Sequence, residues 1–528
     1  MPKTTVHPPR AAHTLAQAGV KLDVGPLTTA QVEAVARGRA SVAIAPAAMR
    51  ALRQSRRLLE SMLDDGLPHY GINTGFGSFS RQRISSGDLS DLQRNLVRSH
   101  AAGVGAPLPR ETVRAMMLLL AASLSRGMSG VRPVVVETIV RMLNAGGGGV
   151  VPLVPETGSV GASGDLAPLA HVALVLIGEG QAEFRGRVMD GGAAMRKAGI
   201  APLTLGAKEG LALINGTHLM AAQGALFVCD FERTFDAALV AAAMSIDACL
   251  ATDQYLDDRV HHARGQLGQS LVAARLRGLI AGSRIVPSHA ENDPRVQDPY
   301  SFRCAPQVIG SSWDAFNYVR SSIDAELGAV TDNPLVFPPA RPSDSPADIV
   351  SAGNFHGMPV AIPLDVAAIA CSHIAGISER RVYHMLSGFD PQANLSPYLS
   401  PVPGLHSGLM IAQYAAAACC NEIITLCTPA SVSNLSTSAG VEDYNSFGPR
   451  SAAKARRAAD LMRKVIAIEM LCAAEAIEQH RPLRSSPPVE AAIKVIRRRV
   501  PRLTADRPPS PDIAAIEKLI DTGALAPA

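Results

Sequence analysis

The sequence predicts a mostly α-helical protein, with a long central helical bundle preceded by a region of helices, loops and one small β-hairpin. Three observations carry this. Hydrophobic residues make up 47% of the 528 positions but aromatics only 4%, a mix that suits closely packed helices better than a sandwich rich in Val, Ile, Thr and aromatics. Apolar residues recur at helical spacing over long stretches, as in Phe231, Phe235, Ala238, Ala242 and Ile246, and again in Leu461, Val465, Ile468 and Cys472. The segments between such stretches are rich in Gly, Pro, Asn and Asp, the residues of turns and loops.

Taken in order, residues 1–20 are polar and Pro-bearing and read as mobile. After Pro109, the positions Val113, Met117, Leu120 and Leu124 share one helical face, and Gly127 stops that helix. The run "NAGGGGVV" (144–151) reads as a flexible loop. Asp165 is a good N-cap and Pro168 is tolerable in a first turn, so a helix is expected from there to Gly178. "QAEFRGRVMDGG" (181–192) reads as a short hairpin. Long helices follow from about 219, with 287–310 and 331–357 as loop-like interruptions, and Pro482 ends the last of them. "RPPSP" (507–511) marks a break before a final short helix. The expected division is a flexible N-terminus (1–24), an N-terminal domain (25–218), a central long-helix bundle (219–482) and a C-terminal helical tail (483–528).

Charge and cysteine usage narrow the function. Fifty basic against 46 acidic residues leave a formal charge of +4, too balanced for nucleic acid as the main partner. The run Arg497, Arg498, Arg499 reads as a solvated helix end. Eight cysteines occur with no C-x-x-C and no zinc-finger spacing, so no metal site is expected and a reduced, cytoplasmic setting fits. The N-terminus lacks the apolar core of a secretory signal, and "AMMLLLAASL" (115–124) is short of a membrane span; no membrane partner is expected.

The unusual stretch is "GSVGASGDLAPLAH" (158–171). A serine nucleophile is one option, but the match to a hydrolase elbow is poor: G-x-S-x-G would need the second glycine one place later, and the nearest base, His171, lies farther along a helix. It is not a phosphate loop, because no G-x-x-x-x-G-K-[ST] is present. A plain turn is one reading. Another is chemical: Gly164 has no Cβ, so its nitrogen can attack the carbonyl of Ala162, and loss of water closes a five-membered ring. Loss of the Ser163 hydroxyl as a second water leaves an exocyclic C=CH2, an electrophile that none of the twenty side chains supplies.

This stretch resembles the signature of the aromatic amino acid ammonia-lyases and the related 2,3-aminomutases, in which Ala-Ser-Gly becomes 4-methylidene-imidazol-5-one (MIO). "YGINTGFG" (70–77), "LVRSHAAGVGAPL" (96–108), "KEGLALINGT" (208–217), "VQDPYSFRCAPQVIG" (296–310), "TDNPLVF" (331–337), "GNFHG" (353–357) and "VEDYNSFG" (441–448) are similar to further blocks of that family, in the same order. The resemblance implies MIO from Ala162, Ser163 and Gly164 in the N-terminal domain. It implies Tyr70 as the base for the β-proton, Asn215 beside MIO, and Tyr300 and Gln297 as polar groups around MIO and substrate. Arg303 matches the arginine that holds the substrate carboxylate, a task suited to its planar fork, and Phe355 a residue lining the pocket. It also implies a homotetramer with active sites shared between subunits, acting on a small amino acid.

Ser99, His100 and Glu442 bear on which amino acid. Ser-His and Glu at these places resemble the histidine-specific members, whereas phenylalanine and tyrosine lyases typically carry Gln in place of Glu442. A carboxylate can hold an imidazole N–H, while a phenyl ring gives it nothing in return for desolvation. The expected reaction is therefore L-histidine to trans-urocanate and ammonia. A tyrosine lyase, a 2,3-aminomutase and a non-catalytic helical assembly protein on the same scaffold are the alternatives. Val441, His218, the Gly146–Gly149 run and the missing Asn in "ELGAVTDNP" (326–334) depart from the histidine-type pattern, and Ser78 stands where tyrosine aminomutases carry an acid.

Overall fold

Long helices set the frame: His218–Ala248, Ala305–Glu326, Met358–Ser387 and Gly448–Gln479 pack against one another, with Met410–Leu426 laid alongside the last two. The computed structural model describes residues 19–526 apart from 64–66, 76–81, 292, 294, 340–346 and 389–392, so residues 1–18 and Ser78 lie outside the described residues. The His218–Ala248 helix is buried at nearly every position. Its Ala-rich sequence permits that, because small side chains let neighbouring helices approach on all sides. The scarce aromatics concentrate where this helix meets Ala305–Glu326: Phe231 stacks on Phe316 at 4.3 Å between centroids and Phe235 on Trp313 at 4.4 Å.

Ahead of the bundle, Thr28 and Gln31 form a capping box that starts the Thr29–Ala36 helix. Val20–Leu22 is a strand paired in parallel with Val42–Ile44. The expected flexible segment therefore does not extend to residue 24: alternate side chains of this strand, Val20 and Leu22, are buried. The Arg110–Ser125 helix begins after Pro109 as expected, but it is buried from Thr112 to Ser125 rather than along one face. Thr29–Ala36, Pro133–Asn144 and His218–Ala248 all pack on it. The hairpin of Gln181–Phe184 and Arg187–Asp190 is present and gains a third antiparallel strand, Val150–Pro152.

Two expected loops carry more structure than their composition indicated. Within 287–310, Tyr300–Arg303 forms one helical turn and the Ala305–Glu326 helix has already begun. Within 331–357, Leu335–Phe337 pairs with Asp348–Val350. The Met358–Ser387 helix is long and apolar enough to cross a membrane, a length the ten-residue run at 115–124 did not suggest. Of its most apolar window, 67% is buried inside this chain, as in the core helix of a bundle. One apolar core runs through the molecule from Val20 to Leu525, and a smaller cluster gathers Leu59, Ile72, Leu89 and Val336.

Candidate active site

Ala162, Ser163 and Gly164 lie just before the Leu166–Leu176 helix, against Gly216 and the first turn of His218–Ala248. Asp165 N donates to Gly216 O at 2.8 Å and Gly216 N to Ser163 O at 3.4 Å. Gly164 N–H donates to neither, and among the described residues no backbone hydrogen bond is recorded from it. Gly164 has a φ of +75°, in the left-handed region, and a Cβ there would overlap the carbonyl of Gly216. Flanking contacts hold the approach to the tripeptide: Ser159 Oγ donates to Gly164 O at 3.2 Å, Ser446 Oγ to Gly161 O at 3.0 Å and Phe447 N to Val160 O at 2.9 Å.

Asp165 does not cap its own helix with its side chain. Its Oδ2 accepts instead from Leu219 N at 2.8 Å and Met220 N at 3.2 Å, capping the long His218–Ala248 helix that starts 53 residues later in the chain (218 − 165). The group is fully buried. Burial pushes its carboxyl up to about 7, against the pull of the Met220 and Leu219 amides and the Ser159 hydroxyl.

Behind the tripeptide lies a polar cluster that spacing alone did not reveal. Asn215 Nδ2 donates to Asn333 O at 3.4 Å, while its Oδ1 is buried without a partner among the described residues. Thr217 Oγ1 donates to Glu326, and Thr217 N to Thr331 Oγ1 at 3.3 Å. Burial raises the Glu326 carboxyl above the usual carboxylate range. His218 is 5% exposed and neither ring nitrogen has a partner among the described residues. Burial, reinforced by Arg126, drops its imidazole to about 3, so the ring is neutral. Lys208 pairs with Asp332 below this cluster, both buried.

Glu442 comes to the tripeptide from far along the chain. Ser163 Oγ donates to Glu442 Oε1 at 3.5 Å and Thr437 Oγ1 to Glu442 Oε2 at 3.3 Å. Among the described residues Glu442 makes no ion pair, with Arg450 or any other cation. Half-buried Phe355 belongs to the same neighbourhood: the next residue, His356, has Nε2 3.0 Å from Tyr444 O. Ser99 and His100 end the Leu89–His100 helix, with Ser99 Oγ 3.1 Å from His100 Nδ1 and that nitrogen 2.9 Å from Leu96 O. A proton on Nδ1 shared with that carbonyl leaves Nε2 as the acceptor. His171 accepts from Gly103 N at 3.2 Å and so is engaged away from Ser163. Tyr70 is half-buried in the 67–75 loop, packed on the main core.

Gln297, Tyr300 and Arg303 are not brought to the tripeptide within one chain. Their segment is fastened to the opposite end of the His218–Ala248 helix: Thr252 N and Oγ1 donate to Asp298 Oδ2 at 2.9 and 2.6 Å, and Arg295 donates to Cys249 O and Leu250 O. Thirty residue steps of helix separate the two ends (248 − 218), about 45 Å at 1.5 Å per residue. Arg303 stacks over the Tyr300 ring at 4.4 Å and its Nε donates to Asp298 O at 3.0 Å. Tyr300 is 69% exposed and Gln297 is exposed beside it. Among the described residues no cluster of three or more His, Cys, Asp or Glu could hold a metal ion.

Residues 27–498 match the family described as aromatic amino acid lyase. A histidine ammonia-lyase of Anaeromyxobacter sp. (strain K) is 48% identical over 512 residues, 96% of this chain and 99% of that protein. One from Sorangium cellulosum (strain So ce56) is 47% identical, covering 95% and 97%. Among solved structures, histidine ammonia-lyase from Trypanosoma cruzi superposes with a TM-score of 0.88 at 39% identity, covering 96% of this chain and 94% of that one. Tyrosine aminomutase from Streptomyces globisporus reaches the same TM-score at 34% identity, covering 96% and 98%. On this evidence the chain belongs to the aromatic amino acid lyase family.

Proposed function

We propose that the chain eliminates the α-amino group and a β-proton from L-histidine, releasing trans-urocanate and ammonia, on an MIO group made from its own Ala162, Ser163 and Gly164. The observation that carries the reading is the tripeptide's setting: Gly164 fits only as glycine against Gly216, its N–H is spared from the backbone pairing, and Ser163 faces Glu442. That cradle fits cyclisation of Gly164 N onto the carbonyl of Ala162. MIO, once formed, supplies an electron-poor alkene that ammonia's poor leaving ability makes necessary.

The remaining roles fall to side chains of the chain itself. Tyr70 takes the β-proton. Glu442, with no cation to neutralise it among the described residues, holds an imidazole N–H, and Ser99 and His100 take part in binding the same ring. Phe355 lines the pocket, and Asn215, with an unpartnered buried Oδ1, bonds beside MIO. Arg303 binds the substrate carboxylate, with Tyr300 and Gln297 next to it.

About 45 Å of helix separates Arg303 from Ser163 in one chain, which supports a carboxylate-binding block that acts in the site of another copy. We propose a homotetramer with shared sites. Exposed Ile411, Tyr414 and Ile424 on Met410–Leu426 and Ile362 and Ile369 on Met358–Ser387 supply apolar surface for such contacts. A cytoplasmic setting agrees with eight free cysteines, and the division at 218/219 agrees with the start of the long helix at His218.

Incubation with histidine, tyrosine and phenylalanine, followed by identification of products, tests the reading. Urocanate from histidine is expected. Coumarate or cinnamate without urocanate overturns the specificity, and β-amino acids indicate a mutase.

A further inference from the structure

The turn that carries Arg303 is held by a buried ion pair that no role so far has used. Arg381 and Glu469 are 1% and 0% exposed, at the heart of the contact between Met358–Ser387 and Gly448–Gln479. Arg381 Nε donates to Glu469 Oε1 at 2.5 Å and one terminal nitrogen to Oε2 at 2.9 Å. Ser245 Oγ and Ser378 Oγ complete the carboxylate at 2.7 and 2.5 Å. Glu469 is thereby satisfied, and the third arm of the guanidinium is free to reach out. It donates to Ser301 O at 3.2 Å. Three positions farther along the same helix face, His384 meets the ring of Phe302 at 5.9 Å.

A buried ion pair is a poor device for stability alone, since well-packed apolar side chains of similar volume do as well or better. This one does something apolar residues cannot: it holds a backbone carbonyl inside the four-residue Tyr300–Arg303 turn. Ser301 Oγ is itself buried without a partner among the described residues, so the carbonyl bond is the polar anchor of that residue. Two residues on, the half-buried Arg303 lays its guanidinium over the exposed Tyr300 ring, with its Nε on Asp298 O. Moving Ser301 moves Arg303.

We propose that Arg381, locked by Glu469, is a positioning residue that sets the aim of Arg303 and Tyr300 at the substrate carboxylate in a neighbouring subunit's site. The proposal rests on the reading of Arg303 given above. A lysine at 381 would keep the charge opposite Glu469 but lacks the fork that serves the carboxylate and the Ser301 carbonyl together. A misplacement of about 1 Å at a binding arginine costs as much as a hundredfold in rate.

Distance supplies an internal control. Within one chain the Ala162–Gly164 tripeptide lies at the other end of the His218–Ala248 helix, so its loss of two waters reports folding of that chain apart from its own Arg303 turn. Arg381→Lys, Arg381→Gln and Arg303→Ala are made in the full chain, alone and as the double substitution Arg303→Ala with Arg381→Lys. Intact mass, assembly state, KM and kcat with histidine are measured for each. The expected result for Arg381→Lys is an intact assembly two waters lighter than the unprocessed chain, with KM for histidine raised about tenfold or more and kcat changed less. In the Arg303→Ala background the same substitution should change kcat/KM no further. An Arg381→Lys protein with wild-type KM, or additive losses in the double variant, overturns the proposal. If Arg381→Gln fails to dehydrate, Arg381→Lys carries the test; if both fail, Arg381 is a folding residue and the proposal is wrong. If Arg303→Ala leaves KM unchanged, the assignment of Arg303 fails instead.

Discussion

Gly164 sits so close to Gly216 that a single methyl group on Gly164 would overlap its neighbour's carbonyl. Gly216 is equally confined, since a Cβ there would press on the ring of His218 and the hydroxyl of Thr331. Both residues have positive φ, +75° and +118°. The two backbones therefore meet at a spacing that only glycine permits, directly beside Ser163.

Gly164→Ala should block cyclisation. The strain of a side chain at this φ is about 1–3 kcal/mol before any overlap is counted. Intact mass is expected to lose the two-water deficit and activity to vanish, with folding followed by thermal unfolding. Gly216→Ala is expected to impair the same step by moving His218 and Thr331. A Gly164→Ala protein that still carries the deficit contradicts the close fit.

Asp165 and His218 should give opposing pH dependences. Burial raises Asp165 from 3.8 to about 7, so its contribution to stability is fully present below pH 3.8 and is lost as pH rises to about 7. His218 is depressed from 6.5 to about 3, so its contribution is fully present above pH 6.5 and is lost as pH falls toward 3. Between these limits the two slopes cancel in large part. Asp165→Asn should make stability rise with pH more steeply than in wild type, and His218→Gln should make it fall, each by up to about 1.4 kcal/mol per pH unit. Urea unfolding at several pH values checks this; parallel profiles for all three proteins contradict it.

Shared sites should complement. On the proposed reading, a chain with Ser163→Ala would lack the electrophile and a chain with Arg303→Ala the carboxylate clamp, while a mixed assembly would contain sites with both intact. Co-expression is expected to restore activity above either variant alone. Failure to complement in a demonstrated mixed assembly would mean that both residues serve one chain's site, against the length of helix between them.

Glu442→Gln should separate chemistry from maturation. Histidine turnover is expected to fall about 100-fold or more, since an amide cannot hold or share the imidazole proton as a carboxylate does. The two-water deficit should persist. Steady-state kinetics and mass on the same sample decide it.

Much of this was legible in the sequence for physical reasons. The bundle announced itself through 3.6-residue periodicity, and the hairpin through its turn residues at Arg185 and Gly186. Ala162-Ser163-Gly164 stood out because its composition offers nothing to a core. Asp165 shows the limit: Asp before an apolar run signals a cap, but nothing local says which helix it caps. Its true partners, Leu219 and Met220, are fixed only by the packing of one helix against another. The Met358–Ser387 helix falls in the stretch expected to hold long helices, but its bounds were not legible because it is buried on most sides, so amphipathic patterning is weak. The sequence singles out Arg303, yet its distance from Ser163 follows from one unbroken helix of 31 residues, which no spacing along the chain reveals.

The mass of the native chain, measured on active protein and localised to the peptide spanning Gly158–His171, tests the central claim most directly. The account predicts a peptide lighter by two waters, with the deficit at Ala162, Ser163 and Gly164. An unmodified Ser163 in protein that turns over histidine would contradict it.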